Sequence, residues 1–155
     1  MSIAITWGRG DGAASASTVA ELDAALDTIS HAHTAQMPHC VSLIAASGAD
    51  FPVMLDICVG HSERSFVYHV AADGSSAWGY QPDPEPGPVF TFDYAGTPTD
   101  AWPERTRATN ATARQAARQL LTSGGQRPAA LAGAVSLTVF PAILVSRFQR
   151  LGSGR

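Results

Sequence analysis

Apolar positions change their period along the chain, and each change marks an element. Ile3, Ile5 and Trp7 alternate with smaller or polar residues, the two-residue period of a strand. Residues 8–17 are mostly Gly, Ala and Ser and read as a loop. From Val19 the period lengthens: Val19, Leu22, Leu26 and Ile29 share one helical face, while Glu21, Asp23 and Asp27 lie off it. Thr18-Val19-Ala20-Glu21 has the spacing of a capping box, in which Thr and Glu satisfy two free amides at a helix start. A helix is therefore predicted over 18–34.

The two-residue period returns after Pro38. Residues 41–45 read as a strand. So do residues 51–60, with Val53, Leu55, Ile57 and Val59 on one face and Met54, Asp56 and Cys58 on the other. Residues 65–71 set Phe66, Tyr68 and Val70 against Val67 and His69, which places His69 either on a solvent face or under a helix. Asp73-Gly74 signals a turn before a strand over 76–81. Pro82, Pro84, Pro86 and Pro88 then exclude regular structure, because each fixes φ and removes an amide donor. Residues 89–94 resume alternation through Phe90, Phe92 and Tyr94, and residues 96–107 read as a loop holding Trp102-Pro103. Capped by Thr109 or Asn110, a second helix carries the stripe Ala113, Ala116, Ala117, Leu120 and Leu121 and ends in a left-handed cap at Gly124-Gly125. Residues 131–148 are apolar and strand-like, broken at Pro141. The strands are joined by turns too short for parallel crossovers. The expected fold is a single α+β domain, mainly antiparallel sheet with two helices packed on one face.

Composition narrows the function classes. The 155 residues suffice for one domain with a real core, and 45% hydrophobic against 15% charged content excludes a disordered chain. The longest apolar stretch, 131–145, is interrupted by Ser136, Thr138 and Pro141 and falls short of the ~20 residues a bilayer needs, so no membrane partner is expected. The first residues lack the basic and apolar regions of a signal peptide, which makes the cytoplasm the expected location. Cys40 and Cys58 have no metal or redox spacing and read as buried reduced thiols.

All ten basic residues are arginine, against thirteen acidic residues, for a net charge of −3. Without lysine there is no Schiff-base chemistry, and without a basic patch few counterions can be released from nucleic acid on binding. A basic protein partner suits the balance better. Gly8-Arg9-Gly10-Asp11-Gly12 lacks the Lys-Ser/Thr of a phosphate loop, and no cofactor is expected. His31, His33, His39 and Cys40 form a cluster of metal-ligand types. On a helix, however, i and i+2 diverge by about 200°, so no metal is expected and helix-terminal imidazoles are the better account.

Two constellations remain. His61 and Glu63 lie in the polar turn Gly60-His61-Ser62-Glu63-Arg64, where they form either an acid/base pair or a solvated hairpin. Trp78, Tyr80, Asp83 and Glu85, together with Trp102 and Glu104, join aromatic side chains to an acidic, proline-stiffened loop. These are the materials of a protein-binding patch, since aromatics anchor interfaces and a stiff loop costs little ordering entropy. The competing reading places the tryptophans in the core.

Several segments resemble the Imm1 family. They are the early strand with Trp7, the capped helix Ala20-Glu21-Leu22-Asp23-Ala24-Ala25-Leu26-Asp27 and the strand ending at Gly60. Further along come Trp78-Gly79-Tyr80-Gln81-Pro82-Asp83, Phe92-Asp93-Tyr94-Ala95-Gly96, and the late helix running into Gly125-Gln126-Arg127-Pro128. The family comprises small actinobacterial immunity proteins of polymorphic toxin systems, including systems built on nucleic-acid deaminases. The resemblance spans about residues 5–130 and implies a domain over 1–130, with 131–155 as an apolar extension packed on that domain or on a partner. Two features depart from the family pattern. Leu131-Ala132-Gly133 stands where a tryptophan usually follows the Arg-Pro, and the apolar tail is longer.

Two functions follow. The first is a non-catalytic immunity protein that occludes a toxin through Trp78, Tyr80, Asp83, Glu85, Trp102 and Glu104. The second, motivated by the tail, is an enzyme or enzyme subunit doing elimination or cyclisation on an anionic metabolite. Its acid/base groups would be His61, Glu63 and His69, and its anion-binding groups Arg105, Arg107 and Arg127. Both readings require a protein partner and leave homo-oligomerisation open.

Overall fold

A computed structural model describes residues 1–32, 37–46, 51–80, 87–129 and 133–136, the last four and Tyr80 through their backbone alone. The chain opens with a hairpin of β1 (Ile3–Trp7) and β2 (Gly12–Ala16), followed by α1 (Val19–Ser30). Then come β3 (His39–Ala45), β4 (Val53–Val59), β5 (Arg64–Ser65), β6 (Val67–Val70) and β7 (Ser76–Tyr80). A second hairpin, β8 (Phe90–Tyr94) and β9 (Thr97–Ala101), leads through a 3-10 turn at Pro103–Arg105 to β10 (Ala108–Thr109), α2 (Asn110–Thr122) and β11 (Gly133–Ser136). The main sheet runs β11-β7-β6-β4-β3-β1-β2, and β5 and β10 form a separate two-stranded ribbon. Among the described residues every pairing is antiparallel except one, His39 of β3 with Asp93 of β8. The fold is α+β, as the periodicity predicts.

Both helices start as their sequences dictate. The Thr18 hydroxyl accepts from the Glu21 amide, and the Glu21 carboxylate accepts from the Thr18 and Ser17 amides. Such a cap contributes about 1 kcal/mol. Thr109, not Asn110, caps α2 through its hydroxyl on the Thr112 amide. The apolar stripes of both helices are buried, Leu22, Leu26 and Ile29 on one and Ala113, Ala116, Ala117, Leu120 and Leu121 on the other. They close a core with Ile3, Ile5, Val41, Leu43, Val53, Leu55, Ile57 and Val67. Arg118 on α2 forks onto Asp23 on α1 with two bonds of 3.0 Å, a planar match that holds the helices side by side.

The opposite face of the sheet is also covered. Cys40 and Cys58, directly opposed on β3 and β4, pack with Phe66, Phe92 and Ala101 under the β8–β9 hairpin. Both are free thiols, and burial pushes Cys58 up to about 12. Met54, Tyr68 and Val70 continue this layer.

Three segments differ from the sequence reading. Residues 8–17 contain β2, an edge strand of Gly, Ala and Ser whose central residues are exposed. Its pairing is backbone to backbone, so no hydrophobic alternation announces it. Residues 96–107 contain β9 and the 3-10 turn. The polar β9 pairs with β8 around Ala95-Gly96, both at positive φ, a two-residue turn whose twist matches its strands. Helix α1 stops at Ser30, and His31 serves as its C-cap, with its Nδ1 2.7 Å from the Asp27 carbonyl. Of the apolar tail, residues 133–136 form β11 against β7. Residues 137–155 lie outside the described residues.

Candidate functional site

Of the residues read as a partner-binding patch, the structure brings together those on β7 and on the 3-10 turn. Trp78 is half-buried, its ring 4.7 Å from Tyr68 and edge-on to Phe66 at 5.9 Å. It serves the core and the surface at once. On its outer side the Arg105 guanidinium lies 4.7 Å from the ring centroid, a cation–π contact that ties the 3-10 turn to β7. The turn itself is fixed by Pro103 and by the Arg105 amide donating to the Trp102 carbonyl at 2.9 Å. Trp102 projects from this corner 58% exposed, the most exposed large apolar side chain among the described residues. Glu104 and Asp100 are exposed beside it in sequence. Asp83 and Glu85 lie outside the described residues, as does the side chain of Tyr80.

The acid/base candidates are not gathered in one place. His61 organises its own turn: its Nδ1 accepts from the Glu63 amide at 3.1 Å and the Arg64 amide at 2.9 Å, so the ring proton resides on Nε2. Its carbonyl accepts from the Asn110 side chain at 2.7 Å, and its ring packs on Phe90 with centroids 4.3 Å apart. Desolvation lowers its pKa, against an opposing pull from Glu63. His69 pairs across the sheet with Leu55, six residues from His61 along β4 and its following turn, roughly 20 Å of extended chain. It is buried on the helix-facing side, which decides between the two placements its alternation allowed. Burial, then the Arg127 guanidinium, lowers its pKa below the ordinary 6.5, while a hydrogen bond to the Gly125 backbone acts in the opposite sense. Arg127 therefore neighbours His69, whereas Arg105 stands with Trp78. Arg107 is half-buried just beyond the 3-10 turn.

The two depressed histidines set a pH response. Each is neutral in the folded state below the pH at which it protonates when unfolded, so the unfolded chain binds more protons in that window. Stability is then complete above about pH 6.5 and falls on acidification through that value, down to the folded-state pKa. His69→Gln is expected to flatten part of this fall in a series of urea melts between pH 7.5 and 4.5. An unchanged slope would remove His69 from the account.

Sequence reasoning missed one polar pair. His39 opens β3 where β1 no longer pairs, and there β8 takes over: the Asp93 amide donates to the Pro38 carbonyl at 2.7 Å, and Asp93 Oδ2 lies 3.3 Å from His39 Nδ1. The local signal is a histidine at the head of a strand that is apolar apart from Ser42. Among the described residues no group of three His, Cys, Asp or Glu side chains could hold a metal ion. No helix of the described residues is long and apolar enough to cross a membrane.

The described residues thus form an α+β domain with an exposed tryptophan on a turn that carries Glu104 and Arg105. Residues 10–134 match the family described as immunity protein Imm1, and the chain belongs to that family. No curated protein and no solved structure matches it. The expectation drawn from the capped helix, the aromatic strand and the Gly-Gln-Arg-Pro segment is borne out at the level of the family.

Proposed function

We propose that this protein binds a toxin domain and occludes its active site, with no catalysis of its own. An immunity-type role follows from the family, and the observation that carries the mode of binding is the Trp102 corner. A tryptophan 58% exposed on a turn locked by Pro103 and by Arg105 over Trp78 is an anchor that loses little entropy on docking. Asp100 and Glu104 give the corner negative charge suited to a basic, nucleic-acid-processing toxin such as a deaminase. The enzyme reading draws less support, because His61 spends Nδ1 on its own turn and His69 lies far along the sheet.

The test starts from the neighbouring genes, among which this reading expects one that encodes a toxin domain. The protein is expected to bind that domain and abolish its activity in stoichiometric amounts. Glu104→Arg is expected to slow association several-fold at low salt, with the difference shrinking as ionic strength rises, because a rim charge acts mainly on encounter. A toxin neither bound nor inhibited would overturn the proposal. An association rate unchanged by Glu104→Arg would move the contact elsewhere.

A further inference from the structure

A cavity of about 510 Å³ opens between the β1–β2 hairpin, the end of α1 and the turn of the β8–β9 hairpin. Its size is that of a ligand pocket rather than a packing gap. His39 lines it, with its side chain only 9% exposed, and Asp93 fixes the ring. Asp93 is itself held, Oδ1 accepting from the Gly96 amide at 2.7 Å and Oδ2 facing His39 Nδ1. In the neutral imidazole the Asp93 carboxylate favours the proton on Nδ1, and Nε2 is then the acceptor. That Nε2 is buried and has no hydrogen-bond partner. An orphaned buried acceptor costs stability that a bound donor restores, and the resulting bond forms at low dielectric.

The rest of the wall is built to stay open. The Trp7 ring occupies the space a side chain at Gly12 would need, and the Arg9 side chain does the same over Gly96, which holds positive φ. Both glycines are thus required where they stand, and their absent side chains let an aromatic face and an arginine stem line the cavity. The charge balance is specific. Two carboxylates, Asp11 and Asp93, face one guanidinium, Arg9, and the imidazole is an acceptor. A wall with more negative than positive charge, an unused acceptor and an indole suits a guest that is cationic and donates hydrogen bonds.

We infer that this cavity receives a basic side chain, a guanidinium or ammonium group, of the toxin that the protein blocks. The inference rests on the proposed function for the identity of the partner, and continuity joins the two sites. Pro98 lines the cavity and Trp102 forms the exposed corner, at opposite ends of β9, roughly 13 Å of one edge strand. One partner surface can cover both. The guest donates to His39 Nε2, its charge is balanced by Asp11, and its flat face lies against Trp7. Because Nε2 is shielded from water, a wall side chain must yield for the guest to reach it. Among the lining side chains Met37 is unbranched and rotatable.

The experiment uses small probes and the intact chain, so it does not depend on finding the toxin. N-acetylarginine N-methylamide and its lysine and glutamate counterparts are titrated while NMR follows the Trp7 indole N–H and the His39 ring. The two cationic probes are expected to shift both signals saturably, and the glutamate probe neither. Asp11→Asn, a substitution at an exposed position, is expected to weaken cation binding about threefold or more, and Arg9→Gln to strengthen it. His39→Gln is expected to lower affinity about tenfold, the effect of losing one bond to a charged donor. Equal or tighter binding of the glutamate probe, or no shift of Trp7 and His39 at the probes' solubility limit, would overturn the inference. Probe binding without any toxin binding would leave the pocket standing and the proposed function failed. Toxin binding through Trp102 with a silent pocket would do the reverse.

Discussion

Leu55→Ala is expected to destabilise the protein by about 3–4 kcal/mol. Leu55 is wholly buried in the middle of β4, whose seven residues are all buried. Its neighbours across the sheet are Leu43 and His69, and it belongs to the core that α1 and α2 close. Truncation removes three carbons' worth of transfer energy. It also leaves a cavity that rigid strands on either side cannot collapse, and the second contribution is why the cost exceeds that of lost area alone. A domain of this size loses roughly 2–4 °C of melting temperature per kcal/mol, so a drop of about 10 °C is expected by calorimetry. Ala14→Ser on the exposed edge strand β2 serves as the control, with a change within about 0.5 kcal/mol. A loss below about 1 kcal/mol for Leu55→Ala would mean that the helices do not close over β4.

Trp102→Ala is expected to have the opposite profile: folding stability within about 0.5 kcal/mol of the parent, but toxin affinity lower by about 2–4 kcal/mol, roughly 30- to 1,000-fold. The side chain packs into no buried cluster, and the backbone carbonyl that accepts from Arg105 survives the substitution. Any loss of affinity is then a loss at the interface. Isothermal titration with the toxin domain, paired with a urea melt of the free protein, separates the two quantities. Trp78→Ala cannot do so, because Trp78 packs on Tyr68 and Phe66 beneath Arg105 and its removal disturbs core and corner together. Unchanged affinity for Trp102→Ala would exclude the corner as the anchor.

The elements that were legible in the sequence are those that bury side chains at a regular period. Both helical stripes, the capping box, the left-handed stop at Gly124-Gly125 and the alternation of β4 all stand where the pattern puts them. β2 and β9 were illegible for one reason. Each is an edge strand paired on one side, so polar or small side chains cost it nothing and its backbone bonds leave no trace in hydropathy. The aromatic corner was half legible. The residue types at 78, 102 and 104 suggest a patch, but only the Arg105–Trp78 contact makes neighbours of two segments more than twenty residues apart.

Local sequence by itself determined where helices and core strands form, because capping and periodic burial act within a few residues and are written in residue order. It also determined membership of the Imm1 family, through short motifs spread over most of the chain. What only the tertiary structure decided is which distant residues share a site. His39 and Asp93, 54 positions apart, meet because β1 stops short on β3 and leaves its first residue for β8 to pair. Their contact depends on strand lengths and sheet order, which are settled by the packing of the whole domain and not by any local run of residues.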